Sequence, residues 1–185
     1  MTAAEPRTVS KLDIKKLAEI RENVSRFIQC CGTRYDRQGF LVLDIAPQDH
    51  EGAVPYFQYA TIETLDINPA SGADYIADIC ATNEDIPSER FDAIVCTEVL
   101  EHTLNPFAAV AELYRLLKTG GLVFVTTPFN FRIHGPLPDC WRFTEHGLRA
   151  LFTQFDLLEL DALDDADRFL MPTHYTLVAR KRGQP

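Results

Sequence analysis

From residue 40 onward, short runs that are apolar on both faces recur at intervals, and this pattern restricts the fold more than any other feature. FLVLDI (40–45), TIETLD (61–66), DYIAD (74–78), FDAIVC (91–96) and GLVFVTT (121–127) read as strands. Two-sided apolarity belongs to a parallel sheet covered on both faces. Pro106 to Lys118 reads as a helix, with Pro106 in its first turn and Gly120 just past its end. Upstream, residues 10–31 read as a helix capped by Ser10, with Leu12, Leu17, Ile20, Val24 and Ile28 at helical spacing. FDLLELDAL (155–163) and THYTLVARK (173–181) have no helix between them and predict an antiparallel hairpin at the sheet edge. The expectation is a Rossmann-like, doubly wound, mostly parallel α/β sheet with an antiparallel edge hairpin. At 185 residues the chain suits one domain, 1–185.

The net charge of −9 excludes the basic face that a nucleic-acid binder needs, although RKRG near the C-terminus is locally basic. It points instead to a small or neutral substrate. No apolar run reaches the roughly 18–20 residues of a membrane span, and MTAAEPRTVSKLDIKK lacks the apolar core of a signal peptide. The expectation is a cytoplasmic protein with no membrane contact. Five cysteines without a CxxC pair predict buried thiols rather than disulfides or structural zinc. Nothing in the pattern specifies an oligomeric state.

In such a sheet, ligands bind beyond the carboxyl ends of the strands. Those positions hold Asp44, followed by Ala46-Pro47-Gln48-Asp49 with a first glycine at Gly52; Asp66, within TLDINP; and Asp78-Ile79-Cys80. A carboxylate at Asp66, about 20 residues after the first strand, is placed to accept ribose hydroxyls. PSERFDAIVCTEVLEHTLNP then runs into FAAVAELYRLLKTGGLVFVTTP.

These last two segments closely resemble the fourth strand, following loop, helix and fifth strand of class I S-adenosylmethionine (SAM) dependent methyltransferases of the small bacterial type 11 kind. The resemblance runs from about residue 40 to 128, roughly half the chain. It implies SAM as cofactor, with Asp44 and Ala46 at the cofactor loop, Asp66 and Ile67 at the ribose, and Asp78 at the adenine amino group with Ile79 on the ring. Cys96 and Glu98 fall beside the methionine part, whose ammonium suits a carboxylate. The family has a glycine-rich turn where this chain has Ala46 to Asp49.

FNFRIHGPLPDCWRFTEHGLRALF (129–152) resembles the substrate-side segment of small bacterial methyltransferases that act on sugars and secondary metabolites. It implies a small-molecule or glycan-precursor substrate met by Asp139, Trp141 and Arg142. Thr144 is placed to cap the next helix, with Glu145 in its first turn. Transfer to oxygen or nitrogen needs a proton acceptor, and His134 and His102 fall on the correct side of the sheet. His50 lies nearer the cofactor loop, while His146, in a helix, and His174, in an edge strand, read as structural.

Glu98, Glu101 and His102 form an ExxEH cluster resembling the metal ligands of small-RNA 3′-terminal 2′-O-methyltransferases and a stretch of ubiquinone-biosynthesis O-methyltransferases. If the three shared one helical turn, His134 could complete a magnesium or manganese site. Each residue also has an ordinary role: Glu98 at the cofactor, Glu101 on backbone amides of a following turn, His102 at substrate. The expectation is therefore that no metal is required. Three readings stand: an O- or N-methyltransferase, a metal-assisted one, and a non-catalytic partner that keeps the fold, favoured by the altered loop.

Overall fold

The computed structural model describes residues 9–47 and 52–183. Its elements in chain order are α1 (Lys11–Tyr35), β1 (Leu41–Ile45), β2 (Thr61–Asp66), β3 (Tyr75–Ile76), β4 (Phe91–Thr97), α2 (Pro106–Leu116), β5 (Leu117–Pro128), α3 (Glu145–Leu151), β6 (Phe155–Leu163) and β7 (His174–Lys181). The strands form one sheet in the order β3-β2-β1-β4-β5-β7-β6. Pairing is parallel from β3 through β5 and antiparallel on both sides of β7. The chain order reverses direction between β1 and β4, which makes their carboxyl ends the topological switch point.

Both sheet faces are covered, as two-sided apolarity requires. On one face, α1 lays Ile20, Val24, Ile28 and Cys31 over Val42, Val95 and Phe124. On the other, Leu113 and Leu116 of α2 and Leu148 of α3 join Leu43, Ile94, Val123 and Leu177. The predicted caps form: Ser10 accepts from the amide of Asp13 and Thr144 from that of Gly147. Asn105 caps α2 by accepting from the Ala108 amide, with Pro106 opening the helix.

Several expectations need correction. Helix α2 stops at Leu116, not Lys118, because Leu117 turns extended to pair with Phe91 and bury its side chain fully. Gly120, with φ +80°, therefore lies inside β5 rather than past a helix. Among the described residues, regular helices separate only β4 from β5 and β5 from β6. Strand β7 is interior and β6 is the edge, so His174 is not on an edge strand. Leu12 is 61 % exposed, and only Cys31 and Cys96 of the five cysteines are buried. Among the described residues no helix is long and apolar enough to cross a membrane.

Helix α1 approaches the turn after β1 so closely that a Cβ on Gly32 would lie 2.2 Å from the Tyr56 carbonyl oxygen. Backbone cannot yield as a flexible side chain does. Gly32→Ala is expected to destabilise the fold by about 1–3 kcal/mol, the usual scale of overpacking. Urea unfolding measures this, and an unchanged midpoint would refute the close contact.

Candidate active site

One cavity of about 560 Å³ opens at the switch point, within the range of small-molecule and cofactor sites. The ends of β1 and β2 give it Ala46, Asp66 and Ile67, and the segment after β3 gives Ala77 to Cys80. The end of β4 gives Thr97, Glu98 and Val99, followed by His102, Thr103 and Leu104. The connection after β5 contributes Phe131, Arg132, His134, Gly135, Pro136 and Pro138. Leu17, Ile20, Arg21 and Val24 of α1 form a further wall, which sequence reasoning did not foresee. Their spacing is that of an ordinary core face, so nothing in it marks a binding role.

The strand-end acids adopt distinct geometries. Asp66 is 2 % exposed and accepts from the Asn68 amide at 2.7 Å; Asp78 accepts from the Cys80 amide at 2.8 Å. Ala46 sits at φ +52°, a left-handed conformation that glycine adopts freely and alanine only with strain. Alanine thus holds here the left-handed conformation open to a glycine. Gln48, Asp49 and His50 lie outside the described residues.

Asp44 and Cys96 do not line the cavity. Asp44 is 1 % exposed and accepts from the Ala53 amide at 2.7 Å, so it ties the end of β1 to Ala53. Burial pushes its carboxyl up to about 7, against the lowering effect of that hydrogen bond. Cys96 is fully buried in the core, and desolvation pushes its thiol up.

Strand β4 ends abruptly at Glu98, whose φ of +55° is unusual for a residue with a side chain. The turn is held by its own contacts: the Glu98 amide donates to the Thr126 carbonyl, and Glu98 Oε1 accepts from the Thr126 hydroxyl at 2.9 Å. The same oxygen lies 2.7 Å from His174 Nε2, and His174 Nδ1 lies 2.8 Å from the Asn23 amide nitrogen. Burial raises the Glu98 carboxyl, but the charge and hydrogen bond of His174, with Thr126, outweigh it and hold the group below its ordinary value. The fully buried His174 is thus a positioning residue for Glu98.

This geometry also breaks up the ExxEH cluster. Glu98 lies before the single 3-10 turn Leu100–His102, not on one helical face with it. Glu101 and His102 converge instead with His134 from the connection after β5, their ligand atoms lying within 4.8 Å of one another. The expectation that Glu101 binds backbone amides through its side chain does not hold. Its carboxylate oxygens have no hydrogen-bond partner, while its main-chain carbonyl accepts from the Cys140 and Trp141 amides. Burial, then the Glu98 charge, push the Glu101 carboxyl well above its ordinary value.

Asp139, Trp141 and Arg142 do not line the cavity. Trp141 donates from Nε1 to the Thr103 carbonyl at 2.8 Å and stacks with Phe143. Arg142 grips Asp139, whose carboxylate also accepts from the His134 amide and lies 3.0 Å from His134 Nδ1. Burial opposes ionisation of Asp139, but Arg142 and His134 outweigh it and hold the carboxyl far below its ordinary range. For His134, burial dominates and lowers its affinity for a proton despite Asp139.

The residues present fit SAM by donor and acceptor character. Its ribose hydroxyls, adenine amino group and ammonium are donors, and Asp66, Asp78 and Glu98 place acceptor carboxylates along one cavity. Ile67 and Ile79 supply apolar surface beside Asp66 and Asp78.

Sheet order, switch-point cavity and strand-end acids together define the class I methyltransferase architecture. The profile of the methyltransferase domain family matches residues 17–161, and the chain belongs to that family. Two ubiquinone biosynthesis O-methyltransferases share short segments with it. That of Glaesserella parasuis serovar 5 is 41 % identical over 54 residues, 29 % of this chain and 21 % of that protein. That of Dechloromonas aromatica is 48 % identical over 44 residues, 24 % of this chain and 18 % of that protein. The matches thus span about a fifth of those relatives' length. The solved SAM-dependent methyltransferase of Methanosarcina mazei superposes with a TM-score of 0.64 at 15 % identity, over 82 % of this chain and 97 % of the other. The cyclase SpnF superposes equally well, with a TM-score of 0.66 at 16 % identity, over 85 % and 81 % of the two chains. Such likeness establishes the fold and not the reaction.

The raised Asp44 carboxyl has a consequence for stability. Between 3.8 and about 7 the folded chain keeps a proton that the unfolded chain releases. Stability from this group therefore falls as pH rises through that window. Asp44→Asn, which removes the titration, is expected to gain stability over the native protein on going from pH 4 to pH 8. Thermal unfolding of both proteins across this range measures the gap, and a constant gap would contradict it.

Proposed function

We propose that the protein transfers a methyl group from SAM to an oxygen or nitrogen of a small molecule or glycan precursor. The observation that carries this reading is one cavity lined both by the acceptor carboxylates Asp66, Asp78 and Glu98 and by the imidazoles of His102 and His134. SAM, when bound, supplies an electrophilic methyl on a sulfonium. The chain's own work is to align a nucleophile with it, exclude water, and take charge of the nucleophile's proton. Glu98, held by His174 and Thr126, is aimed at the ammonium end. The imidazoles of His102 and His134 stand at the substrate end, where they accept the proton or position the nucleophile.

The connection after β5 acts as a cover. Asp139, Arg142 and Trp141 shape it from behind, and Phe131, His134 and Pro138 meet the ligand. The net charge of −9 disfavours nucleic acid as substrate.

Binding and turnover separate the two halves of this reading. Asp66→Ala is expected to weaken SAM by about 1–3 kcal/mol, the cost of leaving ribose hydroxyls unpaired; calorimetry reads this directly, and wild-type affinity would remove Asp66 from the cofactor site. His102→Ala and His134→Ala are expected to keep SAM binding and lose turnover about 100-fold or more. Full turnover in both variants would take the histidines out of the reaction.

A further inference from the structure

The methyl-transfer reading gives each carboxylate that lines the cavity a partner on SAM, but it leaves the cavity's cations without one. Arg21 and Arg132 are the only arginines or lysines among the described residues that line it. Arg21 has no hydrogen bond or ion pair there. Arg132 donates from Nη1 to the Ile133 carbonyl at 3.2 Å and meets no carboxylate. Elsewhere Arg34, Arg90, Arg115, Arg142, Arg149 and Arg182 each pair with an acid. In a chain with 27 acids against 18 lysines and arginines, carboxylates are not scarce. Two free guanidinium groups in one cavity therefore call for an anion from outside the chain.

The two arginines come from different walls. Leu17, Ile20, Arg21 and Val24 recur at helical spacing, so α1 presents them to the cavity as one stripe. Phe131, from the connection after β5, packs against the cluster that holds Ile20 and Val24. The Arg132 guanidinium stands 5.9 Å from the centre of the Phe131 ring, and the His134 ring centre lies 5.2 Å from it. Both arginines are thus gathered around Phe131, beside an imidazole of the substrate end. Arg142, the arginine expected from sequence to meet substrate, is held by Asp139 instead.

Resting on the methyl-transfer reading, we propose that the substrate is a small-molecule anion whose carboxylate or phosphate is held by Arg21 and Arg132 while its acceptor atom faces His102 and His134. A guanidinium matches either group with two parallel hydrogen bonds, which fixes orientation as well as charge. Phe131 offers an apolar face between the charged group and the imidazoles, so an aromatic or apolar body suits the space. The acidic composition points to a small or neutral substrate; the charge inside the cavity selects a small and anionic one. The carboxylate of SAM is the other source of such a group, but it is one anion for two arginines.

The test uses the whole chain, loaded with S-adenosylhomocysteine and titrated by calorimetry with benzoate, phenyl phosphate and the neutral benzamide. At least one anion should bind about 10-fold or more tightly than benzamide, the scale of a charge-assisted contact. Arg21→Gln and Arg132→Gln should each remove that preference. Both residues are exposed, so neither substitution disturbs the core. Anions bound no better than benzamide, or a preference kept in either variant, would overturn the assignment. S-adenosylhomocysteine and 5′-methylthioadenosine, which lacks the amino-acid carboxylate, separate the two sources. Unchanged affinity for both analogues in the two variants supports a substrate anion. A loss confined to S-adenosylhomocysteine would give the arginines to the cofactor and overturn the proposal. If the wild-type chain binds neither analogue, the methyl-transfer reading fails instead, and titration of the free chain with benzoate and benzamide still reads the arginine pair.

Discussion

The candidate site depends on how the end of β4 is tied to the connection after β5. The Glu101 carbonyl accepts from the Cys140 and Trp141 amides, at 2.7 and 3.1 Å, and so draws that connection over the strand end. Trp141 adds a bond to the Thr103 carbonyl, and His102 meets the Pro138 carbonyl. These contacts cross the gap between segments more than thirty residues apart. Without them His134 would have no fixed relation to His102, and the cavity would lack its substrate-side wall.

A second tie works from within the connection. Asp139 is gripped by Arg142 and accepts from the His134 amide, so two side chains of one short segment orient the imidazole. A charged pair of this kind offers little net stability, because desolvation offsets most of the attraction. Its evident effect is geometric. The same logic applies to His174 and Asn23 behind Glu98: polar groups removed from water and matched to one another hold a strained residue in place.

Much of the fold was legible because it follows from periodicity. Both hairpin strands, the central β4, and the caps at Ser10 and Thr144 appear where pattern and capping chemistry put them. Errors arose where tertiary pairing overruled a local signal. Gly120 reads as a helix stop, yet pairing of Leu117 with Phe91 ended α2 earlier. His174 reads as an edge residue because sequence order does not reveal that β7 inserts between β5 and β6. In the site, Asp66, Asp78 and Ala46 were legible from their distance past a strand, whereas the α1 wall was not.

The sequence by itself determined the layered α/β fold and the set of acids at the strand ends. These depend on spacing along the chain, which is written in the residues. Only the tertiary structure decided which of those groups face one another. Glu98, Glu101 and His102 are neighbours in sequence, but one left-handed residue sends Glu98 to His174 and leaves Glu101 with two imidazoles. Asp139, Trp141 and Arg142 share a segment with His134, yet only His134 reaches the cavity. A side chain's direction is set by backbone dihedrals and by partners distant in the chain, and spacing alone contains neither.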